Sequence, residues 1–412
     1  MSQTGKRAMK GPLDGVRILD LTRATAGPYG SQMMGDLGAE IIKIETSEFA
    51  LGVTSRQKLD SYLLYGDDIH FLSLNRNKKS LVLDLAKPDG KAVFHDLAKV
   101  SDVVYENFRP GVTKRLGIDY ETLRKLNKKI IYCGLSGFGA TGPYKNRPAF
   151  DVVIQAASGM MAQLGAHDAD GRPTHFPLAI GDLMGGVYSS YGIIAALYER
   201  EKTGEGQFLD ISMQDSMISL LSYVFAYRLN VGKHKDIMSR LLWGAFKTKD
   251  DYVVVCAHRQ GFWENLCKTL GHEEWLTDPR FDSPAKRVEN QSQIWAMIEE
   301  IFATKGRDEW VKILTDGDVP CAPLNTEEEL INDPQVAIRK MIVKAKHVTG
   351  GDLTLIGNPI KMSAHPDDLL ESPPLLGQHG KEICTGLLGY SEARYQELLD
   401  QKVTAPPKIP QK

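Results

Sequence analysis

The chain has 412 residues, of which 42% are hydrophobic and 25% charged, and its formal net charge is -2 at pH 7. That length favours two or three domains with a sizeable core. The near-neutral charge gives no electrostatic case for a nucleic-acid partner. No apolar run approaches the roughly 20 residues that a membrane-spanning helix requires, so we expect no membrane insertion.

The cysteines and the N-terminus indicate a cytoplasmic protein. The five cysteines are scattered, form no CxxC pair and are odd in number, so we expect reduced, mostly buried thiols (Cys133, Cys256, Cys267, Cys321, Cys384). The segment from Met1 to Lys10 is polar and basic and lacks the apolar core of a secretion signal.

Strands and helices alternate over roughly the first 150 residues, as in parallel βαβ units. Residues 47–68 show no clean period and are predicted to form a loop or a short helix. The predicted strands are 16–21, 40–45, 80–85, 102–105 and 129–135, and the predicted helices run from 27 to 35 or 38, 88–100 and 120–127. We therefore predict an α/β fold with a doubly wound parallel sheet.

The remaining pattern predicts a second, smaller domain. A hairpin at 244–257 is followed by mainly helical segments, which is typical of an α+β domain. Further helices are expected at 151–164, 182–202, 213–229, 261–270, 290–304, 307–315 and 382–401, and strands at 207–212, 353–356 and 359–362. The predicted organisation is a large domain at 1–230, a small domain at 231–325 and a return segment at 326–412 that packs on the large domain.

Asp182 is the candidate nucleophile, because it lies between glycines at the head of a long apolar helix signal. An Asp in this position is usually only an N-cap. The flanking Gly181 and Gly185, however, would let a thioester approach closely. The helix N-terminus would favour negative charge beside the carboxylate, and its N–H groups would stabilise a reaction intermediate.

Other local motifs narrow the chemistry. The turn after the first strand lacks the first glycine of GxGxxG, and Pro28 removes a backbone N–H there, which argues against a dinucleotide site. The histidines and cysteines show no metal-ligand spacing, so no metal is predicted. Arg109, Lys114 and Arg115 follow the fourth strand and would suit a phosphate, although a solvated basic helix face is equally compatible. Residues 75–79 are predicted to be a solvated connection.

Taken as a whole, the chain resembles the family III CoA-transferases from about residue 11 to 400. Seven segments carry the resemblance: GPLDGVRILDLTR from Gly11, DLGAEIIKIE from Asp36, NRNKKS from Asn75, ENFRPG from Glu106, SGFGATGP from Ser136, GNPIK from Gly357 and LLGQH from Leu375.

The resemblance implies a reaction as well as a fold. The family nucleophile is an Asp preceded by Gly at the start of a long helix, and that position falls on Asp182. It would attack an acyl-CoA thioester to give a mixed anhydride, which the released CoA thiolate converts to an aspartyl-CoA thioester. A small carboxylate acceptor would then reverse these steps. Such a nucleophile is already ionised at pH 7.

The resemblance also places coenzyme A, the substrate carrier, at the carboxyl ends of the predicted strands, where open α/β sheets bind ligands. The implied contacts are Thr25, Ala26, Leu83, Leu85, Asn107, Phe108, Arg109, Val112, Arg115, Ser136 and Phe138. Formyl-CoA transferase has other residue types at Thr25, Thr46, Ser136 and Phe138. Its glycine-rich loop has no counterpart at 238–246, so the acceptor acid is left open.

The family further implies an interlocked homodimer. Two alternatives to CoA transfer remain. One is a 2-methylacyl-CoA racemase of the same fold, which places a histidine where this chain has Phe150. The other is a non-catalytic CoA-binding protein, in which Asp182 would be only an N-cap.

Overall fold

The computed structural model describes residues 11–46, 62–232, 242–365 and 369–409. Most of the loop predicted at 47–68 and much of segment 238–246 lie outside these ranges. Contacts divide the chain into two units, one formed by Met1–Ser222 with Lys340–Lys412 and the other by Tyr223–Arg339.

The first unit is built on a six-stranded sheet in which every pairing is parallel, as the alternation of strands and helices predicts. The strand order is β5-β2-β1-β6-β7-β8, which is the order of a doubly wound sheet. A two-stranded antiparallel ribbon, β3 with β4, precedes β5. The strands are β1 (Arg17–Asp20), β2 (Glu40–Glu45), β3 (Leu63–Leu64), β4 (Asp67–Asp68), β5 (Lys78–Val82), β6 (Val103–Glu106), β7 (Ile131–Ser136) and β8 (Phe208–Ser212).

Helices cover both faces of this sheet, and each face has its own hydrophobic core. In the first unit, up to Ser222, they are α1 (Ala26–Asp36), α2 (Ile69–Leu74), α3 (Pro88–Lys99), α4 (Val112–Leu116), α5 (Tyr120–Leu126), α6 (Asp151–Ala157), α7 (Met160–Leu164), α8 (Ile180–Thr203) and α9 (Met213–Leu220). The next helix, α10 (Ser222–Val231), belongs to the second unit from Tyr223 onward. Helices α1 and α8 cross closely at Gly30 and Gly186. A Cβ on Gly186 would lie 2.4 Å from the carbonyl oxygen of Ala26, so only glycine permits this approach.

The second unit has a three-stranded antiparallel sheet in the order β11-β10-β9 and an aromatic core that includes Trp263, Phe281 and Phe302. Its strands are β9 (Trp243–Lys247), β10 (Tyr252–Cys256) and β11 (Cys321–Pro323). Its helices after α10 are α11 (Gln260–Leu270), a 3-10 turn (Glu273–Leu276), α12 (Pro284–Glu289), α13 (Gln291–Phe302), α14 (Arg307–Asp316), α15 (Glu327–Ile331) and α16 (Pro334–Ile338).

The chain then returns to the first unit. It forms an antiparallel pair, β12 (Ile342–Lys346) and β13 (Asp352–Ile356), followed by a π-helical turn (Glu382–Leu387) and α17 (Glu392–Asp400). None of the helices in the described ranges is long and apolar enough to cross a membrane.

Several predicted bounds are wrong. The helix expected at 151–164 is broken at Gly159, where φ is 86°, and that at 213–229 is broken at Leu221. The C-terminal helix is broken at Gly389, where φ is 70°. Strand β5 begins two residues before the predicted Ser80. Residues 359–362 form no strand, and Met362 makes only an isolated bridge with His365.

The prediction of a solvated connection at 75–79 is also wrong. Asn75, Arg76 and Lys78 are buried, with 2%, 4% and 3% of their surface exposed. Arg76 and Asn77 both donate hydrogen bonds to the carboxylate of Asp36. These polar side chains are buried because each finds a partner inside the protein.

Candidate active site

Asp182 lies in the first turn of α8 and is half-buried. It is not the N-cap, which is Ala179. The carboxylate of Asp151 caps the helix instead, since its Oδ1 accepts hydrogen bonds from the backbone N–H groups of Gly181 (2.6 Å) and Asp182 (3.3 Å). The capping alternative for Asp182 is therefore wrong.

Asp151 itself is held by a buried amide. The Nε2 of Gln155 donates a hydrogen bond to Asp151 at 2.6 Å and also reaches the carbonyl oxygens of Phe176 and Leu178, in the segment that leads into α8. Gln155 has none of its surface exposed. The entry to α8 is thus fixed from helix α6, so the position of Asp182 depends on a partner some 30 residues earlier.

The glycines beside Asp182 pack against the protein, whereas we expected them to leave space for a thioester. Gly181 and Gly185 are buried, and a Cβ would lie 3.0 Å from Asp151 Oδ1 at the first position and 3.1 Å from Leu135 at the second. They let α8 pack closely on the protein rather than let a substrate approach. The N–H groups of Gly181 and Asp182 are likewise occupied by Asp151, so these two are not free to stabilise an intermediate.

Thr25 and Ala26 lie at the carboxyl end of β1. The hydroxyl of Thr25 is 3.2 Å from His70 Nε2, and Ala26 is buried with 4% of its surface exposed. Ala24 has a left-handed φ of 59°. A cavity of about 120 Å³ adjoins this turn, lined by Thr22, Arg23, Ala24, Pro28, Lys43, Ile44, Glu45, Asp68, His70, Phe71 and Asn75. His70 was missed in the sequence because no motif marks it.

A buried ion pair supports the same turn. Asp20 accepts hydrogen bonds from the backbone and hydroxyl of Thr22, and Lys78 Nζ lies 3.2 Å from Asp20 and 3.0 Å from the carbonyl oxygen of Pro28. Burial lowers the pKa of Lys78 to about 7, although Asp20 opposes that shift. Lysines 43 and 78 together hold the pKa of the Asp20 carboxyl well below its usual range, against the effect of burial.

Asn107 and Phe108 follow β6, the neighbour of β1 in the sheet. The side chain of Asn107 makes two 2.9 Å hydrogen bonds, one from the backbone N–H of Arg23 and one to its carbonyl oxygen. The guanidinium of Arg23 lies 5.4 Å from the ring centroid of Phe108. The structure therefore brings the residues after β1 together with those after β6, as the resemblance implies.

The other implied CoA contacts differ in accessibility. Arg109 and Arg115 are exposed, and Val112, half-buried, begins helix α4. Leu83 and Leu85 follow β5, but only 1% and 7% of their surface is exposed, and both belong to the hydrophobic core. The arginines can meet a ligand as they stand, whereas the leucine side chains are turned into the core.

Ser136 ends β7, and Phe138 follows it. The Phe138 ring packs edge-on against Tyr144 with centroids 5.8 Å apart, and the Arg147 guanidinium lies 3.7 Å from the centroid of Tyr144. Phe138 also packs on the core that contains Leu135. A basic group stacked on an aromatic pair thus follows the carboxyl end of β7.

The described residues contain no group of three histidine, cysteine or acidic side chains that could hold a metal ion.

Comparison with known proteins shows the family to which this chain belongs. Residues 13–380 match the profile described as CoA-transferase family III. Acetyl-CoA:oxalate CoA-transferase of Acetobacter aceti is 35% identical over 93% of this chain and 97% of its own. Succinyl-CoA:glutarate CoA-transferase of Homo sapiens is 33% identical over 95% and 90%. Formyl-CoA:oxalate CoA-transferase of Rhodopseudomonas palustris strain BisA53 is 33% identical over 96% and 98%.

Solved structures agree with this. A CAIB/BAIF family protein from Brucella suis is 31% identical, has a TM-score of 0.80 and covers 92% of this chain and 100% of its own. An orthorhombic crystal form of a Mycobacterium tuberculosis protein is 30% identical with a TM-score of 0.79, over 90% and 98%. The chain belongs to CoA-transferase family III and is an enzyme of that class.

Proposed function

We propose that this enzyme moves CoA from an acyl-CoA to a free carboxylic acid through a thioester on Asp182. The observation that carries the proposal is the placement of Asp182. Its carboxylate lies in the first turn of a 24-residue helix, and the side chain of another residue, Asp151, accepts the backbone N–H of Gly181 at the start of that helix. A carboxylate with no capping role, in an enzyme of this family, is suited to act as the nucleophile.

The reaction balances in four steps. The Asp182 carboxylate attacks the donor thioester and expels CoA thiolate, leaving a mixed anhydride. The thiolate attacks the aspartyl carbonyl and releases the donor acid, so that CoA is held as an aspartyl thioester. The acceptor carboxylate then displaces CoA to form a second anhydride, and CoA attacks the acceptor acyl group, which regenerates Asp182.

Binding of CoA is proposed to use the residues after β1, β6 and β7. Exposed Arg109 and Arg115 supply positive charge for phosphates. Asn107 and Phe108 are supported by their contacts with Arg23. For Leu83 and Leu85 we propose a contribution through the backbone and the edges of their side chains, since both are in the core.

For the acceptor we propose a small dicarboxylate. Two kinds of relative act, by their names, on oxalate or glutarate. Arg147, exposed and stacked on Tyr144, is the residue that we propose for the second carboxylate. A panel of acyl-CoAs crossed with oxalate, succinate, glutarate and acetate, read by liquid chromatography, tests this preference.

A homodimer in the cytoplasm is proposed as the working form. Helix α8 exposes Tyr191 (71%), Ile194 (36%) and Tyr198 (66%) at helical spacing, an apolar stripe of the kind that a second copy would cover. The five free thiols suit a reducing compartment. Light scattering of the purified protein would test the dimer.

The decisive experiment substitutes Asp182. Asp182→Ala and Asp182→Asn should abolish CoA transfer while CoA binding stays within a few-fold. Hydroxylamine added with acyl-CoA should label the peptide that contains Asp182, read by mass spectrometry. Asp215→Asn, in the exposed first turn of α9, is the matched control and should keep activity. Retained transfer in either Asp182 variant, or labelling elsewhere, would overturn the mechanism.

A further inference from the structure

A cavity of about 430 Å³ lies on one face of the sheet, at the strands β6, β7 and β8. Its volume falls within the range of small-molecule sites. The lining residues are Glu106, Phe108, Pro110, Gly111, Thr113, Asp119, Tyr120, Glu121, Tyr132, Gly134, Leu135, Ser136, Ala140, Phe208 and Asp210. Of these residues, the CoA contacts proposed above include only Phe108 and Ser136.

The wall of this cavity is aromatic. The rings of Tyr120, Tyr132 and Phe208 contact one another in all three pairs, with centroids 5.9 to 6.3 Å apart. Phe208 keeps 41% of its surface exposed, so part of this wall is open. The negative faces of such rings attract cations, organic ammonium groups above all.

The charge of the lining has one sign. Four carboxylates line the cavity (Glu106, Asp119, Glu121, Asp210), and its described lining contains no lysine, arginine or histidine. Asp119 and Asp210 already accept backbone hydrogen bonds, from Thr122 and Ala140. The lining carboxylates therefore disfavour an anion such as a phosphate inside this cavity.

Two buried polar side chains of the lining, Tyr132 and Glu106, could each accept a hydrogen bond from a bound cation. Tyr132 is 1% exposed, and its hydroxyl has no well-formed hydrogen bond within the described residues, Thr113 being the side chain that interacts with it. Glu106 is 8% exposed; its Oε2 accepts the N–H of Phe108 at 2.6 Å. Burial raises the pKa of Glu106 to about 7, because no cation offsets the loss of water. A bound ammonium group would stabilise the ionised carboxylate of Glu106 and so lower its pKa.

We propose that this cavity binds a small organic cation, a primary ammonium on an apolar body. The ammonium donates hydrogen bonds to Glu106 and the Tyr132 hydroxyl, and the apolar body lies on the rings of Tyr120 and Phe208. Phe108 and Ser136 line the cavity and are also proposed CoA contacts. Occupancy is therefore expected to change the affinity for CoA.

Phenethylamine is the probe, and phenylacetate is its charge-reversed counterpart with the same ring. Calorimetry on the intact protein should show binding of phenethylamine and at least tenfold weaker binding of phenylacetate. Glu106→Gln and Phe208→Ala should each weaken phenethylamine binding tenfold or more. Glu201→Gln removes a carboxylate that is 78% exposed outside the cavity and should leave binding unchanged.

Thermal unfolding and CoA titration of each variant establish that it is folded. Tyr132→Phe, which keeps the ring, serves if Phe208→Ala fails to fold, and it should weaken phenethylamine binding several-fold. No heat of binding at 10 mM phenethylamine, equal binding of phenylacetate, or unchanged binding in folded Glu106→Gln would each overturn the proposal. These results do not depend on whether Asp182 is the nucleophile.

Discussion

The carboxylate of Asp151 accepts the backbone N–H of Gly181 at 2.6 Å, and this contact joins helix α6 to the first turn of α8. A residue on one helix thus completes the cap of another. The carboxylate proposed as nucleophile follows one position later, so the orientation of Asp182 is set by the α6 side chain and not by its own segment alone.

Asp151→Ala should lower the free energy of unfolding by about 1 kcal/mol, the usual value of a helix cap. It should also lower kcat about tenfold, because small displacements of a reacting group slow a reaction. Asp333→Ala removes a comparable cap from α16, where Asp333 accepts N–H groups at 2.7 and 3.0 Å, and should affect stability alone. Equal kcat losses in both variants would refute a positioning role.

Arg109→Ala and Arg115→Ala should each weaken CoA binding by about 1–3 kcal/mol, the size of a charge-assisted phosphate contact. Titration with CoA and dephospho-CoA measures the loss and identifies which phosphate is touched. Arg124→Ala, another exposed arginine nearby in the chain, is the control. If all three variants bind CoA like the parent enzyme, the arginines only face solvent.

The raised pKa of Glu106 predicts how stability depends on pH. The folded pKa of about 7 exceeds the ordinary value of 4.5, so the folded state holds the proton more tightly between these values. Stability should therefore fall as pH rises from about 4.5 to 7. Glu106→Gln should remove that fall and be more stable than the parent by about 1–3 kcal/mol at pH 8.

Urea unfolding at pH 5 and pH 8 measures this difference. The amide oxygen of the variant can still accept the Phe108 N–H, so the comparison isolates the charge. An equal difference between variant and parent at the two pH values would contradict the prediction.

Racemisation at the α-carbon should be at background. A racemase needs a base on each face of that carbon. At the position where such enzymes have a histidine, this chain has Phe150, whose side chain is 77% exposed and cannot accept a proton. The adjacent Asp151 is engaged in capping α8. A 2-methylacyl-CoA incubated with the enzyme in D₂O should gain no deuterium, and incorporation as fast as acyl transfer would overturn the assignment.

The parallel sheet was predictable because its strands are buried apolar runs separated by helical periods, as in residues 40–45. The ion pairs between residues far apart in the sequence were not predictable. Lys78 and Arg76 look like solvated charges in sequence, yet their partners Asp20 and Asp36 lie 58 and 40 positions away. No local pattern reports such a partner, so the burial of this segment was missed.

In the candidate site, too, the sequence marks one residue but not its distant partner. Asp182 stands out locally, because one acidic residue heads a long apolar helix. Its capping partner Asp151 does not, since nothing in the sequence relates two carboxylates 31 positions apart. The glycines beside Asp182 were misjudged for a related reason. Glycine permits close approach, but only the packed structure shows whether ligand or protein approaches.

Strand β5 lies at one edge of the large sheet, and the segment that covers it is made some 300 residues later. Ser80 accepts the N–H of Gly377, and the Thr404 hydroxyl donates to the carbonyl oxygen of Val82, across 297 and 322 positions. At roughly 5–20 residues per second, a ribosome would need on the order of 15–60 seconds to supply these partners. During that interval the nascent sheet presents an uncovered edge, the feature that promotes pairing with other chains. Association of nascent chains through that edge should therefore be favoured until the covering segment has been made.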